Sequence, residues 1–220
     1  MTRIARSICM LLIWGFPAAL SAQLVTAPTP SMTNHVNLNC PFQITAGPAD
    51  LGGGVTFTAS TPTMGYLCYT GGWGLGSNGQ WNGALGGYAG VNAGANQVGW
   101  IRFNFADPVS AVGGFLNYAV GYGAPFIAAL DASNNVIDTY SIADIVTTGQ
   151  TNGGAFRGIS HASADIHAFQ LANAFSVARD VVYSTEVTTT PEPASIVLMI
   201  TGLVGVFGAA RRSRSVSSST

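Results

Sequence analysis

Two groups of side chains in this chain have types and spacings that could do chemistry. The first lies in residues 71–99, "GGWGLGSNGQWNGALGGYAGVNAGANQVG", where glycine fills more than a third of the positions and Trp73, Trp81 and Tyr88 are interspersed. A flat indole or phenol ring offers an apolar face to the C–H face of a pyranose, and nearby amides can bond its hydroxyls. Trp73, Trp81, Tyr88, Asn78 and Asn82 are therefore the candidate sugar-binding set. The same rings could instead fold inward and cover a core, because aromatics carry much of a core's buried area. Both readings stay open at the level of sequence. A phosphate loop is excluded, since no Gly-Lys-Ser/Thr occurs in the stretch.

The second group is the histidines and acids. "HASADIH" sets His161 and His167 six apart with Asp165 between them. On a strand Asp165 and His167 would share a face, but the spacing matches neither HExxH nor a tight His pair. No metal site is expected. A structural Ca²⁺ on loop aspartates and carbonyls would suit a β-rich body, yet no DxDxDG-like run supports one, so no cofactor is assigned. There is no GxSxG elbow for a nucleophilic serine. A glycosidase needs two carboxylates facing each other across a cleft. The acids from Asp50 to Glu186 are scattered, and none sits where a raised pKa would be expected. The expectation is a non-enzymatic protein, with a secreted hydrolase as the last alternative.

Cysteine use adds a compartment. Cys9 lies in the N-terminal apolar run, leaving Cys40 and Cys68 as the pair in the rest of the chain. In an oxidising compartment they read as a disulfide, the alternative being two separate buried thiols.

These residues need a scaffold, and the pattern supplies strands. "WIRFNF" alternates Ile101, Phe103 and Phe105 with Arg102 and Asn104, a half-buried strand. "AALDASNNVIDTY" is two apolar runs joined by Asp, Ser and Asn, which predicts a hairpin. Similar short runs, "GVTFTAS", "VSAVGGFLNYAV", "GAFRGIS", "DIHAFQLA" and "RDVVYSTEV", recur with turn residues between them. No 3.6-residue apolar stripe persists between residues 100 and 190, although "SIADIVTTG" could supply one helical turn. The expected fold is all-β, an antiparallel sandwich of jelly-roll type over residues 40–188, with 71–99 as an irregular Gly-rich loop or very short hairpins. The Thr/Pro/Asn-rich segment 23–39 reads as a loose leader. Between the two ends the charge is sparse: Arg102, Arg157 and Arg179 face eight acids, and the chain contains no lysine. Nothing there could neutralise a run of phosphates, so a nucleic-acid partner is excluded.

Both ends carry address signals. Residues 1–22 combine Arg3 and Arg6, an apolar run from Ile8 to Leu20, and small residues at Ala19, Ser21 and Ala22. That is the layout of a secretory signal peptide, with an uncleaved anchor as the alternative. The other end reads "TTTPEPASIVLMITGLVGVFGAARRSRSVSSST". Ala194–Ala210 is free of charge and, at about 1.5 Å per residue, makes a helix of roughly 25 Å, enough for a thin bilayer. Pro191 and Pro193 prevent an earlier helix start. Arg211, Arg212 and Arg214 hold the far end on the cytoplasmic side. The alternative is a buried core helix.

Pro191-Glu192-Pro193-Ala194-Ser195, the apolar helix and the arginine cluster, in that order, resemble the PEP-CTERM sorting tail of bacterial exported proteins. The resemblance covers residues 189–214 and departs from the pattern in the polar run 215–220. It implies recognition and processing by an exosortase, transit through the secretion machinery, a temporary inner-membrane anchor and a final place at the cell surface or in an exopolysaccharide matrix. Extracellular polysaccharide is then the natural partner. The order "FNFADPVSAVGGFLNY", "LDASNNVIDTY", "AFRGIS" and "RDVVYS" is likewise similar to the jelly-roll bodies of such proteins, with Arg179 beside Asp180 as a departure.

Overall fold

The computed structural model describes residues 22–186, apart from 63, 82–83, 85, 93–97 and 148–152. The signal-peptide reading over residues 1–21, the sorting tail 189–214 with its membrane segment 194–210, the polar run 215–220 and Asn82 all lie outside the described residues. Among the described residues no helix is long and apolar enough to cross a membrane.

The described chain is all-β. Its strands are β1 (Gln23–Val25), β2 (Asn34–His35), β3 (Gln43–Ile44), β4 (Ala49–Asp50), β5 (Val55–Ala59), β6 (Gly65–Tyr69), β7 (Trp73–Gly74) and β8 (Gln80–Trp81). They continue with β9 (Tyr88–Val91), β10 (Trp100–Val109), β11 (Ala111–Asn117), β12 (Phe126–Leu130), β13 (Val136–Ser141), β14 (Ala155–Ser160), β15 (Ile166–Ala172) and β16 (Val177–Ser184). The first sheet runs β1-β14-β11-β16-β9-β6-β3, with β2 also paired to β16; the second runs β13-β12-β15-β10-β5-β4; β7 and β8 form a small ribbon. The pairs are antiparallel.

Alternation explains the core. Along β5 and β10, Val55, Phe57, Ala59, Ile101, Phe103 and Phe105 point inward, while Thr56, Thr58, Arg102 and Asn104 point out. Phe57, Phe103 and Phe169 stand side by side across three strands, all fully buried. They share one apolar cluster with Val112, Leu116, Ile159 and Val181 of the first sheet, so the two sheets form a β-sandwich. Each such ring removed from water contributes on the order of 1.5–3 kcal/mol before chain entropy is counted.

Two bulges reset the alternation in the first sheet. In β6, Leu67 and Cys68 together oppose Ala89, between the pairs Tyr66↔Gly90 and Tyr69↔Tyr88, and Cys68 takes φ 55°. In β16, Asp180 and Val181 oppose Gly114, and Asp180 takes φ 46°. An extra residue on one strand shifts every later side chain to the other face. Ala178, Val181 and Tyr183 therefore all reach the core, despite the odd spacing.

The expected hairpin is β12–β13. Asp131 closes it: one carboxylate oxygen accepts the N–H groups of Ser133 and Asn135 (2.8 Å each), and the other accepts the Asn135 amide (2.9 Å). These bonds, the Asn135 side chain's first, hold the Asp131 carboxyl below its ordinary range.

The leader is not loose. β1 pairs with β14, β2 pairs with β16, and Met32, Val36 and Leu38 are buried. β9 covers only the first part of the β16 edge, at Val177 and Ala178, and β2 takes the remainder at Val182 and Tyr183. Docking there satisfies ladder groups that would otherwise be open. Its strands are too short to show alternation, which is why composition alone suggests a linker.

One register relation matters below. Gln23 faces Ser160, Ser160 faces Ala111, and Ala111 faces Ser184. The chain thus enters and leaves the body in one cross-strand row, about 14 Å apart at ~4.8 Å per strand.

Candidate functional site

The outer face of the first sheet is apolar, and the Gly-rich stretch covers it. Trp73, Leu75, Trp81 and Tyr88 cluster there with Ala119 and Val177. Trp81 and Tyr88 are fully buried, so neither presents a ring to a ligand, which corrects their expected role as sugar platforms. The reason is the sheet beneath: with both faces apolar, the face away from the main core needs its own lid. Tyr88 donates its hydroxyl to the Gly71 carbonyl (2.6 Å), and burial, then the neighbouring Tyr69, pushes its pKa well above the usual tyrosine range. Trp81 packs near Arg179, whose guanidinium also lies 4.9 Å from the Phe115 ring centre.

Asn78 is also inside. It ends a 3-10 turn (Gly76–Asn78), and its amide donates to Asn117 Oδ1 (3.1 Å) and to the carbonyls of Tyr118 (3.2 Å) and Ile145 (3.0 Å). Its role is to fasten the Gly-rich segment to the end of β11. Trp73, 9% exposed, does border an opening.

That opening is a groove of about 290 Å³ lined by Tyr66, Tyr69, Gly72, Trp73, Gly74, Asn92 and Phe175. The β6 bulge builds one wall. Because Leu67 and Cys68 both turn inward, Tyr66 and Tyr69 emerge on the same outer face, with ring centres 5.6 Å apart at 81°. Trp73 stands edge-on to Tyr66 at 5.0 Å. Cys68 is bonded to Cys40, so the disulfide expected from cysteine use is present, and it fixes this bulge. Two residues beyond Cys40, Phe42 stacks against Tyr69 (4.8 Å) and Tyr66 (5.7 Å) while 47% exposed.

The opposite wall is Phe175, in the turn between β15 and β16. Asn173, Ala174 and Phe175 take φ of 63°, 52° and 50° in succession. Left-handed backbone costs roughly 1–2 kcal/mol per residue for L side chains, so neighbouring bonds must hold this turn. Asn173 donates its N–H to Gly99 O (2.8 Å) and accepts Gly99 N–H on its side chain (3.2 Å). The Ala119 N–H donates to Ala174 O (2.8 Å), and the Ser176 hydroxyl donates to Asn173 O (2.7 Å).

Tyr66, Gly90, Val177 and Asn117 share a cross-strand row at the other end of the sheet from Gln23 and Ser184. Six rungs separate the two rows, about 20 Å at ~3.3 Å per residue. The groove therefore opens at the end of the sheet away from Gln23 and Ser184.

The histidine group takes a different form from its expectation. Asp165 precedes β15 and its carboxylate meets His161: Nδ1 of His161 lies 2.6 Å from Asp165, and Nε2 lies 2.8 Å from Asp138 on β13. The Nε2 approach is a close contact without hydrogen-bond geometry. The Ser163 hydroxyl donates to the other Asp165 oxygen (2.9 Å). The carboxylates address opposite ring nitrogens, so no single ion could be held by all three residues. Among the described residues no group of three or more His, Cys, Asp or Glu could hold a metal.

Sequence reading missed Tyr66, Tyr69, Phe42 and Phe175. The signal that could have found the tyrosines is their three-residue spacing about Cys68, which fits one strand face only across a bulge. Comparison with family models, with curated proteins and with solved structures returned no match to this chain.

Proposed function

We propose that this chain is an exported, non-enzymatic protein of the cell surface or exopolysaccharide matrix, held at the inner membrane by its PEP-CTERM-like tail until an exosortase processes it. The observation that carries the reading is the order of the tail in the sequence: Pro191-Glu192-Pro193, then the charge-free Ala194–Ala210, then Arg211, Arg212 and Arg214. Ser184 ends the last described strand in the same cross-strand row as Gln23, so a tether beyond it would hold the body by that edge. The Cys40–Cys68 disulfide supports an oxidising, extracytoplasmic setting. In this reading the body is jelly-roll-like, Ala194–Ala210 is the transmembrane helix, Arg211, Arg212 and Arg214 stop its transfer, and Pro191–Ser195 is presented for recognition.

Mass spectrometry of the mature protein tests this. Surface-released protein should begin near Gln23 and lack the segment beyond the Pro-Glu-Pro motif. Recovery of released protein with Arg214 still attached would overturn it.

A further inference from the structure

We infer that the groove between Tyr66, Tyr69, Trp73 and Phe175 binds a neutral saccharide. Three observations lead there. First, its described lining contains no charged side chain, so the ligand is not recognised as an ion. Second, the tyrosines differ from those that serve the fold. Tyr88, Tyr118 and Tyr183 donate their hydroxyls to backbone carbonyls, whereas the hydroxyls of Tyr66 and Tyr69 have no hydrogen-bond partner among the described residues. A tyrosine with an apolar body and an uncommitted hydroxyl offers both contacts that a pyranose uses, C–H against ring and hydroxyl to hydroxyl. Third, Phe175 is held on the groove wall by a run of left-handed backbone, and strain of that kind collects where a side chain must be presented in a set pose.

Size agrees. The volume is at the lower bound of small-molecule pockets, about 300 Å³, and the groove is open rather than enclosed. It would take one or two sugar units of a longer chain passing over it. Phe42 extends the aromatic surface along that path. The inference does not depend on the fate of the tail, because the groove belongs wholly to the body. Unprocessed protein would still bind, and processed protein without binding would refute only the groove.

The test uses the full-length chain in mild detergent, titrated by calorimetry with neutral gluco-, manno-, galacto- and N-acetylglucosamine tetrasaccharides and with an acidic uronate tetramer. At least one neutral tetramer should bind. Tyr66→Ala with Tyr69→Ala should weaken it tenfold or more, and Tyr66→Phe with Tyr69→Phe, which keeps the rings and the fold, by severalfold. The buried substitution Trp81→Phe should leave affinity unchanged. Absence of binding to every neutral probe at millimolar concentration, preference for the uronate, or affinity untouched by the Tyr→Phe pair would overturn the inference. So would self-association that the same substitutions abolish, which would assign the patch of Phe42, Ile44 and the tyrosines to a second copy of the chain.

Discussion

His161 Nε2 lies 2.8 Å from the Asp138 carboxylate, so the residue that follows β14 in one sheet grips the edge strand of the other. With Asp165 on the second ring nitrogen, the imidazole fastens β13 to the turn before β15. Replacing it with His161→Leu removes the hydrogen bond to Asp165 beside two partly exposed carboxylates and should cost about 0.5–1.5 kcal/mol. Urea denaturation checks this, and adding Asp138→Asn should recover part of the loss. An unchanged midpoint in His161→Leu would mean that the sheets do not rely on the clamp.

Tyr88 makes the body sensitive to alkali. Its pKa is raised in the folded state, by burial first, so the native chain holds this proton more tightly than the unfolded chain does. The stabilisation is complete below the unfolded tyrosine range, about pH 10, and is lost as pH rises above it. Thermal melts of wild type should therefore fall steeply above that pH. Below about pH 10 Tyr88→Phe should be less stable by about 1 kcal/mol for the lost bond to Gly71, and above it the variant should show a shallower alkaline decline than wild type. Equal slopes for the two proteins would refute the assignment.

The disulfide spans a separation of 28 residues, and its removal should cost about 3–4 kcal/mol on the chain-entropy estimate. It should also disturb the groove, because Cys68 forms the β6 bulge and Cys40 leads to Phe42. Reduction should lower the urea midpoint and change the near-ultraviolet circular dichroism of the tyrosines together. A lower midpoint with an unaltered aromatic spectrum would separate the bridge from the groove.

The docked leader can be loosened from a distance. A Cβ on Gly87 would meet the Leu38 carbonyl at 2.0 Å, so Gly87→Val must push the leader away from β16. Thermolysin should then cut within residues 26–38 several times faster than in wild type, while the core stays resistant. Equal cleavage rates would show that the leader is held some other way.

Much of this body is legible in the chain because period-two alternation has one dominant cause, a buried face. β5, β10 and the β12–β13 hairpin follow from it, and Asp131 with its Asn and Ser neighbours marks the turn. What alternation cannot report is a change of phase. The bulges at Cys68 and Asp180 each add one residue, and from the letters alone Tyr66 and Tyr69 appear to face opposite ways. Nor could composition decide which side the Gly-rich stretch would cover. Trp81 and Tyr88 suit a ligand platform or a lid equally well, and only the apolar outer face of the first sheet chooses the lid. β1 and β2 escaped notice because edge strands of two or three residues carry no pattern.

The position of β16 sets an order of assembly. It is the last strand of the body to be synthesised, yet it lies inside its sheet, with β11 on one side and β9 and β2 on the other. Until Val177–Ser184 arrives, the two halves of the first sheet are not joined, and the β11 edge and the shorter β9 and β2 edges stand open to stray partners. A chain shortened by those eight residues would lose the seam of the sheet rather than its fringe, so maturation of this body waits for its final segment.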